Sequence, residues 1–169
     1  DAKLRETLRV ELKNIQRNLG ATILYVTHDQ AEATTMADRI GVLEEGRLVQ
    51  VGTPEEIYNN PKSTYVAHRL GSPRINIVNE EIFSLENKPS NAKKIGIRPE
   101  NIKINTGSYE GKIRTIEALG AETVISIDYK NIELLALFQG IFNGNKGENI
   151  KFDINTNNIL YFNDKNESI

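Results

Sequence analysis

The feature that most constrains the fold is a change of pattern at Gly71-Ser72-Pro73-Arg74-Ile75-Asn76. Before it, apolar residues recur at helical spacing. After it, they fall into short runs separated by turn residues roughly every eight to twelve positions, the habit of a sandwich or barrel. A cluster this rich in Gly and Pro ends regular elements, because Pro lacks a donor and Gly tolerates positive φ. The chain therefore reads as an α/β region over 1–72 followed by an all-β region over 73–169. A length of 169 residues suits one domain or two small ones.

Within the first region, Leu4, Leu8, Leu12, Ile15 and Leu19 are spaced by four, four, three and four. This predicts an amphipathic helix over 3–19 whose stripe faces a core, with Gly20 as its left-handed terminator. Ile23, Leu24, Tyr25 and Val26 then read as a buried strand. Asp29, with Glu32 three residues on, is a capping-box pattern that starts a helix over 30–37. A strand that enters a helix through Thr27-His28 sets His28 at the carboxyl end of a sheet, where open α/β sheets bind ligands. His28 is the candidate site residue on this ground, against the plainer reading of a solvent-facing side chain.

Arg39 to Glu44 and Arg47 to Gly52 form a predicted hairpin, with Glu45-Gly46 as its turn. Thr53, Pro54 and Glu56 supply an N-cap, a first-turn Pro and a capping Glu for the next helix. Pro61 interrupts, and Ser63 to Leu70 is a second short helix ended by Gly71. His68, beside Arg69, is expected to face solvent.

Predicted strands in the second region are 95–98, 109–119, 122–128, 133–138, 149–154 and 159–162. Asn143 to Gly147 is a turn, and the polar residues 164–169 are expected to fray. Tyr109, Tyr129, Phe138 and Phe142 are core candidates. Arg98 and Glu100, flanking Pro99, read as a structural pair.

Composition narrows the function classes. The net charge is −2, and acidic residues slightly outnumber basic ones over 77–169, so a nucleic-acid surface is not expected. Without Cys there are neither disulfides nor thiolate metal sites, and no metal-ligand set is predicted. No apolar run approaches the roughly 18 residues that span a bilayer, and no signal peptide leads the chain. Any membrane link is therefore expected to run through partner proteins.

The block from Thr27-His28-Asp29-Gln30 through Glu32-Ala33 and Met36-Ala37-Asp38-Arg39-Ile40 resembles the switch-histidine region of ABC-transporter ATPases. Thr34 departs from the Met usual there. The resemblance implies that His28 reaches the γ-phosphate of ATP and orients the attacking water. A neutral imidazole suits that task, with one nitrogen donating and the other accepting. Asp1-Ala2-Lys3-Leu4-Arg5 is similar to the start of the family's D-loop, which implies that Asp1 approaches the nucleotide across a dimer interface. A plain N-cap is the alternative for Asp1. Val51 to Tyr58 resembles the architectural segment after the hairpin.

Gly96-Ile97-Arg98-Pro99-Glu100 and Leu119-Gly120-Ala121-Glu122-Thr123 look like landmarks of the C-terminal regulatory region of importer ATPases, an OB-like (TOBE) domain. The Gly71 to Asn76 boundary most resembles subunits serving sugar and glycerol-3-phosphate uptake. The resemblance implies ATP and Mg²⁺ as cofactors of a full-length parent. It implies as partners a second ATP-binding subunit in a homodimer, transmembrane permease subunits, a solute-binding protein and a possible regulator protein. The implied location is cytoplasmic and peripheral on the inner face of the membrane.

The phosphate cradle G-x-x-x-x-G-K-[ST] has no counterpart here. Gly111-Lys112 comes nearest, yet Thr106 and Ile113 occupy the other motif positions. Val124 to Asp128 imitates a Walker B strand, but Tyr129 stands where the catalytic Glu belongs. No Gly-Gly dipeptide supplies a signature loop. The expectation is a C-terminal portion of an ATP-binding subunit, from the D-loop onward, with no ATPase activity of its own. Two other readings stand beside it. One is an OB-like module that binds a small molecule or regulator protein; the other is a dimerisation module.

Overall fold

A computed structural model describes residues 2–169, with side chains at Leu4 and from Thr7 onward. Two compact units result, the first running to Asn59 and the second from Asn60 to Ile169.

The first unit opens with α1 (Ala2–Leu19). It ends as its sequence predicts, at a Gly20 with φ of +60°. Its apolar stripe is another matter. Leu4, Leu8, Leu12, Ile15 and Leu19 are all exposed, so no core lies beneath them among the described residues. The strand expected at 23–26 does not form either. Residues 21–27 belong to no helix or strand, and Leu24 and Val26 are 92% and 82% exposed. A buried strand needs neighbours to take its amides and carbonyls. Among the described strands none pairs with this segment.

Beyond it the local signals hold. α2 (Gln30–Met36) starts at Asp29, whose side chain accepts from the Glu32 amide. β1 (Ile40–Glu44) and β2 (Arg47–Gly52) pair antiparallel, with a register slip after Val42. Their turn places Glu45 at φ 48° and Gly46 at φ 77°, the doubly left-handed geometry that suits a two-residue hairpin. α3 (Pro54–Asn59) follows a complete capping box. The Glu56 amide donates to Thr53 Oγ1 at 3.1 Å, and the Thr53 amide donates to Glu56 Oε2 at 2.8 Å.

The second unit opens with α4 (Thr64–Ala67), which packs with the β-structure. Ala67 shares a buried cluster with Ile75 and Phe162. Arg98 is buried, and its Nη1 donates to the carbonyls of Ala67 at 3.2 Å and Leu70 at 2.6 Å. A guanidinium there satisfies carbonyls that a helix end leaves open. Arg98 thus serves the end of α4.

Two antiparallel sheets follow. One contains β3 (Asn76–Asn79), β4 (Lys94–Ile97) and β9 (Leu160–Phe162), in the order β3-β4-β9. The other contains β5 (Ile102–Ala118), β6 (Glu122–Tyr129), β7 (Ile132–Gln139) and β8 (Asn149–Ile154), in the order β7-β6-β5-β8. β6 is buried on both faces from Thr123 to Ile127, as befits an inner strand. Both sheets feed one core. Ile95 and Ile97 of β4 share it with Ile113, Ile125, Ile127, Leu134 and Phe152. Tyr129 stacks on Phe83 at 5.4 Å and meets Phe152 edge-on at 5.2 Å, an arrangement that adds quadrupole attraction to area burial.

β5 starts seven residues before its predicted beginning and is bulged in the middle. Ile104 and Tyr109 both oppose Phe152, and the residues between them leave the ladder. Gly111 and Lys112 lie in regular pairing with β8, a strand context unlike a phosphate-binding loop. The chain end does not fray as expected. Thr64 donates to the Asn166 carbonyl at 2.9 Å, Ser168 to that of Lys62 at 2.9 Å and Ile169 to that of Tyr161 at 3.1 Å.

Candidate functional site

His28 occupies an exposed bend between the irregular segment 21–27 and α2. The residues on either side of it are anchored. The Asp29 amide donates to Thr27 Oγ1 at 3.0 Å, and that hydroxyl donates to Glu32 Oε2 at 2.6 Å. The Glu32 amide donates to Asp29 Oδ1 at 3.1 Å. The capping box read from Asp29 and Glu32 therefore closes through Thr27.

Glu32 gathers more than a cap requires. Tyr25 Oη donates to its Oε2 at 3.2 Å. Arg9 Nη2, from α1, lies 3.4 Å from its Oε1 and 3.3 Å from Asp29 Oδ2. The Thr27 hydroxyl, with Tyr25 and Arg9 behind it, holds the Glu32 carboxyl below its ordinary pKa. The same carboxylate, as acceptor and as negative charge, holds the Tyr25 hydroxyl above its own. Lys13 Nζ adds a second tie between the helices by donating to the Thr35 carbonyl at 2.9 Å.

Of the two site residues predicted from sequence, His28 is placed at an accessible turn, and Asp1 lies outside the described residues. Sequence reasoning missed Arg9, Thr27 and Tyr25. Thr27 carried a signal, since a hydroxyl two residues before an N-cap can take the cap's own amide. Arg9 carried none, because its partner lies twenty residues away.

This arrangement offers one accessible imidazole on a fixed turn, able to donate a hydrogen bond through one nitrogen and accept one through the other. The residues present do not fit a whole nucleotide, since the chain has no glycine-rich cradle with a following Lys. Among the described residues no group of three or more His, Cys, Asp or Glu side chains is arranged to hold a metal ion. Nor is any described helix long and apolar enough to cross a membrane, which says nothing of β-barrel spans.

No family model matches the chain, whereas curated relatives match it strongly. It is 43% identical over 139 residues to the sn-glycerol-3-phosphate import ATP-binding protein UgpC of Brucella abortus biovar 1, covering 74% of this chain and 40% of that protein. The protein of the same description from Psychromonas ingrahamii is 40% identical over 152 residues, covering 79% of this chain and 40% of the relative. The spermidine/putrescine import ATP-binding protein PotA of Bacillus thuringiensis is 43% identical over 147 residues, covering 82% and 41% respectively. The chain thus spans about two fifths of the length of these relatives. By sequence, the chain corresponds to a portion of the ATP-binding subunits of ABC importers.

Proposed function

We infer that the chain is the C-terminal portion of an importer's ATP-binding subunit, and that His28 is its contact to the γ-phosphate of ATP. The observation that carries this reading is the placement of His28, exposed on a bend whose two flanking residues are pinned. An imidazole held this way can donate to a phosphate oxygen through one nitrogen and hold a water through the other. Lys, Mg²⁺ and backbone amides elsewhere in the full subunit would neutralise the phosphates, which is where most of phosphoryl-transfer catalysis lies. The chain alone is therefore inactive. Asp1 is proposed to be the D-loop residue that approaches the nucleotide across a homodimer interface.

In this reading, residues 1–72 complete a nucleotide-binding domain, and 73–169 form a regulatory domain of the OB-like TOBE kind. The subunit sits on the cytoplasmic face of the membrane through permease subunits, works with a solute-binding protein and answers to a regulator protein. The imported solute is proposed to be a sugar or glycerol-3-phosphate; two of the relatives' descriptions name sn-glycerol-3-phosphate, and that of the Bacillus thuringiensis relative names spermidine/putrescine.

In the full-length subunit assembled with its permease, His28→Ala is expected to lower ATP turnover by roughly a hundredfold or more, the scale of a lost proton-transfer or orienting group. ATP affinity should change little. Unchanged turnover overturns the reading, as does ATP-dependent phosphate release by the 169-residue chain alone. A second reading draws on the closed core of the second unit, which suits a free-standing module for regulator binding or dimerisation. Restoration of activity by adding a complementing N-terminal fragment supports the first reading over the second.

A further inference from the structure

We propose that Glu32 and Arg9 are positioning residues for His28, coupling helix α1 mechanically to the imidazole. The proposal deepens the reading of His28 as a phosphate contact and rests on it. Thr27 precedes His28 and Asp29 follows it, and one carboxylate–guanidinium pair holds both. Glu32 takes the Thr27 hydroxyl at 2.6 Å, and Arg9 bridges Glu32 and Asp29 at 3.4 and 3.3 Å. With both flanks fixed, the anchors set the stretch of backbone from which the imidazole projects.

The anchors span three segments. Tyr25 and Thr27 come from the irregular stretch, Glu32 from α2, and Arg9 from α1. The Glu32 side chain is only 14% exposed and the Arg9 side chain 23%, so this ion pair is shielded better than an ordinary surface pair. The apolar stripe of α1 is exposed. The hold of α1 on α2 described here is polar, made by Arg9 and Lys13. A shift of α1 along its axis would pull on Asp29 and Glu32 together, and so on the turn between Thr27 and Asp29. The end of α1 that follows Asp1 is thereby linked to His28 by hydrogen bonds and ion pairs.

The test uses the full-length subunit in its transporter, with His28→Ala as reference. Arg9→Ala, Glu32→Gln and Thr27→Val should each lower kcat roughly ten- to hundredfold, the scale of a misplaced catalytic contact, with KM for ATP within about twofold. The Arg9→Ala/Glu32→Gln double variant should be no slower than the slower single variant, as for residues acting as one unit. Arg9→Lys should recover part of the lost kcat, which a merely structural defect would not predict. Amide exchange of α1 and α2 in the 169-residue chain separates misfolding from mispositioning. If His28→Ala slows turnover while Arg9→Ala and Glu32→Gln do not, the coupling is wrong and the phosphate-contact reading survives. If kcat and KM worsen together with loss of helix protection, the residues are structural and the coupling fails. If His28→Ala itself has no effect, both fall.

Discussion

Asn76 and Leu135 exchange two hydrogen bonds: Asn76 Nδ2 donates to the Leu135 carbonyl at 2.9 Å, and the Leu135 amide donates to Asn76 Oδ1 at 2.7 Å. The side-chain amide thus stands in for one residue of strand backbone. Because the same Nδ2 also donates to the Ile97 carbonyl at 3.0 Å, it fastens β7 of one sheet to β4 of the other. Asn76 is 6% exposed, so water cannot easily replace it.

Asn76→Ala is accordingly expected to destabilise the chain by about 3 kcal/mol, since it strands a buried amide and two carbonyls. Asn76→Asp should be worse near neutral pH, because it sets a carboxylate oxygen against the carbonyls of Ile97 and Leu135. Urea unfolding of both variants checks this; an Asn76→Ala protein with wild-type stability removes the joint from the account.

Asn76 also shows what the sequence could and could not tell. It was visible as part of the breaker cluster at 71–76, but nothing in spacing reveals that a loop-edge Asn pairs with a residue fifty-nine positions away. Local chemistry was legible wherever two to four residues decide the outcome. Thr53 with Glu56 and Asp29 with Glu32 placed helix starts, Gly46 placed a turn, and Gly120 separated β5 from β6. Tertiary consequences were not legible. The run Ile23 to Val26 is strand-like in composition, but a strand is a relation between segments, and no described segment pairs with this one. Asp164 to Ile169 looked too polar to be held, yet their backbone groups find the carbonyls of Lys62 and Tyr161. The His28 candidate was legible through its motif; the Arg9 that braces its turn was not.

Gly107 is required by its backbone and its surroundings together. Its φ is +93°, and a Cβ there would lie 2.4 Å from Asp153 Cβ and 2.6 Å from the Phe152 carbonyl oxygen. Gly107→Ala should cost about 1–3 kcal/mol and loosen β5 against β8 at the bulge. Gly120, at φ +95° with open space around it, isolates the backbone part, and Gly120→Ala should cost only about 1 kcal/mol. Equal thermal unfolding midpoints for the two variants contradict the steric argument.

Leu24 and Val26 sit almost fully in water with Ile23 and Tyr25 about half exposed beside them, and the backbone of residues 21–27 belongs to no ladder. Each such side chain forfeits roughly 1.5–3 kcal/mol of available burial. The 169-residue chain is therefore expected to self-associate with rising concentration. Leu24→Asp combined with Val26→Lys should return it to monomer in sedimentation velocity. A chain that is monomeric at every concentration, with strong amide protection over 22–27, shows that the segment has found cover by another route.

The Glu32 cluster sets a pH window for the turn that carries His28. Glu32 is held below its ordinary pKa chiefly by the Thr27 hydroxyl, so the folded turn favours the charged carboxylate. Its stabilising effect is complete above the ordinary carboxylate range and is lost as pH falls through the depressed folded value. Tyr25 runs the opposite way. Its hydroxyl is raised by the hydrogen bond to Glu32, so its effect is complete below the ordinary tyrosine range and is lost as pH rises through the higher folded value. Amide protection at Asp29 and Glu32 should accordingly be flat across neutral pH and fall at both extremes. Glu32→Gln should remove most of the acid dependence. Tyr25→Phe should remove the alkaline limb, and with it a late-titrating tyrosinate signal distinct from that of Tyr109, which burial raises. An acid limb that persists unchanged in Glu32→Gln would place the titrating group outside this cluster.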